Sequence, residues 1–274
     1  MSGFVKRYPG LSLFVLAMIL GAATLAPVAV GLAPPAFFQL TALSASAAGI
    51  ILAAVDGGKS AVRELLRRVL IWRVGLGWWF VALLFPVIPT IGALYLAALF
   101  GRQAVDWADV SPVYSVIPAL LLLIAFAGLG EEFGWRGFAV PRLQSRHNAL
   151  ITSLIIGAFH SIWHTPLFFV EGGIQHTMAQ EVGFVPAFLG YSVFITAVAV
   201  QFTWLFNNTR GSVLLVAVFH GAINAWNGYI DIYRGQMAGL YAYTSLMVAV
   251  SIIVVIVYGP ETLSRRKGGA GKER

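Results

Sequence analysis

The sequence contains no cysteine and few charged residues. Of its 274 residues, 11% are Asp, Glu, Lys or Arg, whereas 59% are hydrophobic. Because a soluble domain carries about 25% charged residues, this chain has too few charges to cover a surface that faces water. The absence of cysteine also excludes disulfide bonds and thiolate metal ligands. The composition therefore predicts a protein whose outer surface faces the lipid bilayer.

Eight long segments lack charged side chains altogether, and each is about the 20 residues that a helix needs to cross the hydrocarbon core. These predicted spans are residues 11–33, 37–55, 74–100, 112–130, 149–170, 182–206, 212–230 and 237–259. The first could instead be a signal peptide, but it is longer than the usual apolar region of about 7–15 residues. We expect an all-α, polytopic membrane protein that forms one integral membrane domain over residues 1–274.

Basic residues are distributed unevenly among the connecting segments. If the amino terminus is cytoplasmic, the segments on that side hold all of the 18 Lys and Arg residues except Arg102 and Arg234. Since cytoplasmic loops are enriched in Lys and Arg, both termini are predicted to be cytoplasmic and the protein to lie in the plasma membrane. The net charge of +7 is then explained by the basic residues of the cytoplasmic segments, and no nucleic-acid partner is expected.

Two basic segments lie outside the predicted spans. Residues 60–73 have the pattern of an amphipathic helix on the cytoplasmic membrane surface, with an ordinary charged loop as the alternative. Residues 260–274 are basic and rich in glycine, which predicts a disordered cytoplasmic tail.

Three groups of polar residues occur in or beside the spans, where ionisable side chains are costly and usually mark function. Members of a group that are four residues apart share one helix face. The groups are Glu131, Glu132 and Arg136, then His160 and His164, then His220 and Asn224. If the three faces meet, they form a wet cavity inside the helix bundle with a base, groups that position a water and oxyanion donors. Taken singly, each group is equally well explained by a juxtamembrane ion pair or by interhelical hydrogen bonds.

The two adjacent carboxylates are expected to have different roles. Glu132 shares a helix face with Arg136, whereas Glu131 lies about 100° round the helix. Repulsion between the two carboxylates tends to raise the pKa of one of them. The neighbouring Arg holds the other ionised, and this combination is one way to prepare a general base. Because nothing stops the fourth helix before Gly137 or Pro141, the helix should continue past its apolar run. With the acidic pair at the end of that run, the cavity is predicted to open toward the cytoplasm.

The motifs resemble those of the CAAX-protease and bacteriocin-processing family of intramembrane proteases, also called the Abi family. The motif Glu-Glu-x-x-x-Arg is matched by Glu131, Glu132 and Arg136. The histidine of the motif Trp-His-x-Pro-Leu-Phe is His164, and the motif His-x-x-x-Asn is matched by His220 and Asn224. The resemblance covers about residues 112–228. One departure is His160, beside Phe159, which stands where the family pattern has an aromatic residue four positions before the histidine.

The resemblance implies an intramembrane endopeptidase that acts on a membrane-anchored or lipidated peptide or protein. The composition, rich in Arg, Gly and Ala and poor in Lys, indicates a prokaryotic source. Glu131 would activate the attacking water with help from His164. The oxyanion would be stabilised by His220 and Asn224. The geometry of the site would be supported by Glu132 and Arg136. The substrate pocket would be lined or supported by His160, Phe159 and Trp163. Two mechanisms stay open: Zn²⁺ bound by Glu131, His164 and His220, or a metal-free glutamate mechanism.

Two other functions would use the same residues. A proton-coupled transporter also places Glu and His inside the membrane, although inverted repeats and broken midplane helices are not evident in the sequence. A non-proteolytic scaffold or bacteriocin-immunity protein would keep the fold without the activity.

Overall fold

A computed structural model describes residues 2–101, 107, 110–233 and 236–265. Within these residues the regular secondary structure is helical, and no strand is present. Eight of the helices are long and apolar enough to cross a membrane, so the predicted all-α, multi-pass fold is confirmed. They are α1 (Pro9–Ala29), α2 (Ala36–Leu70), α3 (Leu76–Ala98), α4 (Val113–Gln144), α5 (Ala149–Phe169), α6 (Phe184–Asn208), α7 (Val213–Ile230) and α8 (Met237–Tyr258).

Several spans are composite. The span α2 consists of the 3-10 helix Pro35–Ala42, which begins one residue before the span, the helix Leu43–Arg67 and the 3-10 turn Arg68–Leu70. The span α3 consists of the helices Leu76–Leu84 and Val87–Ala98. The span α5 consists of the helix Ala149–Trp163 and the 3-10 helix Thr165–Phe169. The interruption of α3 coincides with Pro86, whose ring cannot be accommodated in a regular helix interior. Two shorter helices, Ser2–Arg7 and Ile174–Val182, lie outside the spans.

The basic segment after the second apolar run is helical, as expected. Gly57 and Gly58 break α2, and Gly58 has a φ of +61°, which glycine adopts at no steric cost. Beyond the break, Leu65 is buried, and Arg68 forms an ion pair with Glu64 at 3.4 Å. The helical structure ends at Leu70, a few residues earlier than predicted.

The helix α4 continues well beyond the apolar run at 112–130, as predicted. After the initial turn Val113–Ser115, it alternates between α-helical and π-helical geometry. Its α-helical parts are Val116–Leu123, Leu129–Glu132 and Val140–Gln144. Its π-helical parts are Ile124–Gly128 and Phe133–Ala139. Glu131 and Glu132 lie on the short turn between the two π segments. Because π-helical turns are rare and frequently occur at functional sites, this geometry marks the acidic pair as part of a candidate functional site.

Glycine residues let α4 approach its neighbours at backbone distance. A Cβ atom added at Gly134 would lie 2.1 Å from the carbonyl oxygen of Ala45 in α2. One added at Gly128 would lie 2.4 Å from the carbonyl oxygen of Ala217 in α7. Small residues commonly permit such close packing of membrane helices. The helix α4 is therefore held between α2 and α7, and its acidic pair lies at the centre of the bundle.

The remaining spans complete the enclosure. The helix α5 packs mainly against α6, α8 packs against α6 and α3, and α1 packs against α2. The most enclosed span is α7, which is consistent with its position beside α4.

The chain after α8 packs against the bundle for several residues. The amides of Ala149 and Leu150, at the start of α5, donate to the carbonyl oxygens of Glu261 and Pro260 at 2.9 and 3.0 Å, and Leu263 is fully buried. The first amides of a helix lack partners within the helix, and this segment supplies them. The predicted disordered tail therefore began too early at residue 260; residues 266–274 lie outside the described residues.

Replacing Gly134 by Ala is expected to destabilise the protein, because the added methyl group would meet the backbone of α2. Overpacking of this kind costs about 1–3 kcal/mol. We expect a lower melting temperature for detergent-purified Gly134→Ala. The matched control is Gly77→Ala, since Gly77 is also helical and has nothing within 4 Å of an added Cβ. Equal melting temperatures for the two variants would contradict the close packing of α2 against α4.

Candidate active site

A cavity of about 490 Å³ lies among the central helices of the bundle. Most of its wall is apolar, and the polar part of the wall includes seven residues singled out in the sequence. Those residues are Glu131, Arg136, His160, Trp163, His164, His220 and Asn224. The three polar groups on α4, α5 and α7 thus meet around one space, as their spacing suggested.

The first cluster in this cavity joins α4 to α5. Nε2 of His160 donates a hydrogen bond to Oε2 of Glu131 at 2.8 Å, and Nδ1 of His164 donates to the carbonyl oxygen of His160 at 2.9 Å. The exposed fractions of Glu131, His160 and His164 are 4%, 3% and 7%. Because its Nδ1 is engaged, His164 keeps Nε2 for another partner. The cluster therefore offers one carboxylate and one free imidazole nitrogen to the cavity.

Aromatic rings hold the two imidazoles in place. The ring of His160 stacks on Trp135 with centroids 4.9 Å apart. The ring of His164 contacts the edge or face of Trp163 at 4.8 Å and of Tyr191 at 5.1 Å. Since buried rings in close contact cannot rotate freely, the imidazole nitrogens have defined directions.

The second cluster joins α4 to α7. Nη1 of Arg136 donates to both carboxylate oxygens of Glu132 at 3.1 and 3.0 Å, and Nδ1 of His220 donates to Oε1 at 2.8 Å. The guanidinium group also lies 4.3 Å from the ring centre of Phe202. Glu132 and Arg136 are fully buried. The predicted pairing of Glu132 with Arg136 is present, and it compensates a carboxylate that would otherwise be buried at high cost.

The adjacent carboxylates therefore face different surroundings, as predicted. Glu132 lies behind the cavity wall, with Arg136 and His220 as partners, whereas Glu131 lines the cavity. On α7, Asn224 follows His220 by about one helical turn and also lines the cavity. The arrangement places a candidate base on one wall and candidate oxyanion donors on another.

Phe159 was expected at the substrate pocket, but it lies elsewhere. Its ring stacks on Phe14 of α1, with centroids 5.0 Å apart and planes at 17°. Successive residues on a helix point about 100° apart, so the residue next to His160 faces a different neighbour. Phe159 contributes to helix packing between α1 and α5.

Sequence reasoning missed Tyr191 and Gln175, which also line the cavity. Nε2 of Gln175 donates to the hydroxyl oxygen of Tyr191 at 2.9 Å, which leaves the hydroxyl proton of Tyr191 able to donate. A single Tyr in an apolar span has no distinctive spacing, and Gln175 lies in a connecting segment. No sequence signal therefore distinguished either residue.

The first cluster also has the composition of a metal site. One potential ligand atom from each of Glu131, His160 and His164 lies within 4.8 Å of the others. Two imidazoles and a carboxylate form a ligand set that zinc uses at three-ligand sites. The set predicted from sequence has His220 in place of His160 and stays a prediction; Nδ1 of His220 donates to Glu132, a contact that ligating histidines commonly make. The residues present fit a divalent ion held by α4 and α5.

The cavity opens on the face of the bundle opposite to the start of α1 and the end of α8. Its wall includes residues 172–175 between α5 and α6 and residues 231–233 between α7 and α8. The connections on the face of the termini, at 145–148 and 209–212, do not contribute to the wall. The predicted cytoplasmic opening is therefore inconsistent with the predicted cytoplasmic termini. Because α4 continues to Gln144, the acidic pair lies inside the bundle rather than at a membrane boundary, and its position at the end of the apolar run does not fix the side on which the cavity opens.

Comparisons with known proteins agree with the motif analysis. Residues 113–226 match the family described as Type II CAAX prenyl endopeptidase Rce1-like. Over 108 residues the chain is 35% identical to a protein named CAAX prenyl protease 2 from Methanococcus maripaludis. That match covers 39% of this chain and 39% of the relative. The matched region contains all three motifs, so the resemblance to this family is confirmed over residues 113–226.

The two carboxylates should differ in their contribution to stability. Glu132→Gln would leave the buried Arg136 without its counter-charge, and breaking a buried ion pair costs about 3–5 kcal/mol. Glu131→Gln keeps a carbonyl oxygen that can accept from His160, so its cost should be about 1 kcal/mol or less. Melting temperatures of the two detergent-purified variants would measure the difference. A larger loss for Glu131→Gln than for Glu132→Gln would contradict this division.

Proposed function

From the family match of residues 113–226, we propose that the protein is an intramembrane endopeptidase in which Glu131 activates the attacking water. The observation that carries this proposal is the cavity itself. It holds a buried carboxylate, a free imidazole nitrogen of His164, and donors on α7, all within the helix bundle. Such an inventory meets the requirements of amide hydrolysis: a base, a group that orients water and oxyanion donors.

Glu131 is suited to the role of base by its contacts. His160 donates to one carboxylate oxygen, which orients the carboxylate and leaves the other oxygen for a water. As the water attacks the scissile carbonyl carbon, Glu131 takes one of its protons, and Nε2 of His164 accepts a hydrogen bond from the other. The C–N bond then breaks, and Glu131 returns the proton to the leaving amine nitrogen. General acid–base catalysis of this kind contributes about 10²–10⁴-fold in rate.

His220 and Asn224 are suited to stabilise the oxyanion. With Nδ1 donated to Glu132, a protonated His220 would donate from Nε2, and the carboxylate of Glu132 would stabilise the imidazolium charge. The side-chain amide of Asn224 supplies a second N–H donor. Removal of one such donor typically costs about 10²–10³-fold in turnover. Glu132 and Arg136 are then positioning residues that act through His220.

The proposed substrate is a membrane-anchored or lipidated peptide. Apolar side chains such as Phe126, Phe194 and Ile195 line most of the cavity and would accept an apolar segment or a lipid group. With both termini in the cytoplasm of a plasma-membrane protein, as the distribution of Lys and Arg favours, the cavity would receive its substrate from the opposite, external face. Glu171 and Glu181 lie in the connecting segment on that face and would attract a basic peptide.

Cleavage should depend on Glu131 and His164. We expect Glu131→Gln and His164→Ala to lower the rate by about 100-fold or more on internally quenched peptides, with and without a lipid group, in proteoliposomes. His147→Ala is the matched control, because His147 is exposed in the connection between α4 and α5. Full cleavage by folded Glu131→Gln would refute the role assigned to this carboxylate.

The absence of native cysteine permits a direct test of sidedness. Gln180 is exposed in the connecting segment at the cavity mouth, and Ser145 is exposed between α4 and α5. On intact cells, a membrane-impermeant maleimide should label Gln180→Cys and should label Ser145→Cys only after permeabilisation. The reverse pattern would place the termini outside and the cavity mouth in the cytoplasm.

A further inference from the structure

We propose that a groove along residues 54–70 of α2 binds one anionic phospholipid, whose headgroup phosphate is held by Lys59, Arg63 and Arg67. The groove has a volume of about 650 Å³, and the residues that line it differ from those of the candidate active-site cavity. Lipid binding there is measured without any peptide. The proposal therefore goes beyond the proposed peptidase activity and does not rest on it.

The break in α2 at Gly57 and Gly58 shapes this groove. Its lining includes Ala54 before the break and Val62 and Leu66 after it. Gly58 also lines the groove, and nothing lies within 4 Å of a Cβ atom added there. The break thus creates an open recess, and part of its wall is apolar surface of the kind that an acyl chain would contact.

The other side of the same helical segment is fixed to the bundle. A Cβ atom added at Gly137 in α4 would lie 2.6 Å from Cδ1 of Leu65, which is buried. Nη1 of Arg68 donates to the carbonyl oxygen of Gly211 at 3.5 Å. Gly211 belongs to the connection between α6 and α7, on the face away from the cavity mouth. The groove therefore lies on that face and is directed outward from the bundle.

The three basic side chains of the groove have uncompensated charges. All three are exposed, and within the part of the chain that the structure describes they form no ion pair, hydrogen bond or ring contact. Every other arginine in that part donates to a protein group or stacks on an aromatic ring. The carboxylates nearest in sequence are engaged elsewhere, since Asp56 pairs with Arg142 at 2.8 Å and Glu64 pairs with Arg68 at 3.4 Å.

The spacing of the cations suits the headgroup of one lipid. Lys59, Arg63 and Arg67 are four residues apart, so they follow one side of the helix over about 12 Å. With Arg63 in the middle, the long side chains of the other two can reach a phosphate placed beside it. Phosphate oxygens accept strong charge-assisted hydrogen bonds from such side chains.

The apolar part of the groove favours a lipid over a soluble phosphate. Val62 and Leu66 line the groove beside the cations, so a ligand that carries both a phosphate and acyl chains meets both parts of the wall. Amphipathic helices with this pattern lie at the boundary between headgroups and acyl chains. If this face is cytoplasmic, as the distribution of Lys and Arg favours, the groove meets the leaflet in which anionic lipids are concentrated.

The test uses full-length protein in detergent, titrated with phosphatidylglycerol or phosphatidylcholine and followed by native mass spectrometry. We expect one phosphatidylglycerol per chain, with an affinity at least tenfold higher than that of phosphatidylcholine. Each basic side chain near an anionic surface contributes about fivefold to affinity. Arg63→Gln should therefore weaken phosphatidylglycerol binding about fivefold, and the triple variant Lys59→Gln, Arg63→Gln, Arg67→Gln should abolish the preference.

The matched control is the triple variant Lys6→Gln, Arg7→Gln, Arg265→Gln. It also removes one Lys and two Arg, and these residues are exposed on the same face of the bundle. It should bind phosphatidylglycerol as wild type does. Since a ligand that binds the folded state stabilises it, phosphatidylglycerol should also raise the melting temperature of the wild type and of this control, but not that of the groove variant. Equal elution volumes would establish that the variants are folded.

Three results would overturn the proposal. An equal loss of binding in the two triple variants would mean that the overall charge of this face attracts the lipid, rather than the groove. Equal affinities for phosphatidylglycerol and phosphatidylcholine would mean that the headgroup charge is not recognised. Displacement of the lipid by glycerol phosphate at the same concentration would assign the groove to a soluble phosphate compound.

Discussion

The structure depends on the compensation of one buried carboxylate. Glu132 is fully excluded from solvent near the middle of a membrane-spanning helix, where an unpaired charge would be too costly to retain. Arg136 approaches it from the next turn of α4, and His220 approaches it from α7. These contacts require α4 and α7 to be close and in fixed rotation. The same rotation turns Glu131 toward α5. The ion-paired Glu132 therefore positions the neighbouring carboxylate, which is the proposed base.

Backbone proximity makes this arrangement feasible. Gly134 and Gly128 allow α4 to contact α2 and α7 through backbone atoms, and the π segments on either side of the acidic pair shift the helix register relative to a regular α-helix. Close packing excludes lipid and leaves little void around the ion pair. The cavity is thereby confined to the side of Glu131, where the walls of α5, α6 and α7 diverge toward the connections at residues 172–175 and 231–233.

Much of this could be predicted from the sequence, since long apolar runs and four-residue spacing are local features. The eight spans and the pairing of Glu132 with Arg136 are of this kind. The hydrogen bond between Glu131 and His160 was not predictable, because it depends on the rotation of α4 relative to α5 rather than on residue spacing within either helix. The direction of the cavity was also not predictable, since it depends on where neighbouring helices separate rather than on any one segment.

The position of the mouth limits which substrates are feasible. If the termini are cytoplasmic, as the distribution of Lys and Arg favours, the lining of the cavity puts its mouth on the external face. A substrate whose lipid anchor lies in the inner leaflet would have to cross the bundle to reach Glu131, whereas a peptide anchored in the outer leaflet, or one being exported, would meet the cavity directly. The acidic side chains of Glu171 and Glu181 lie on the same face and would favour the proposed basic segment of the substrate. Sidedness is therefore the property that most narrows the choice among candidate substrates.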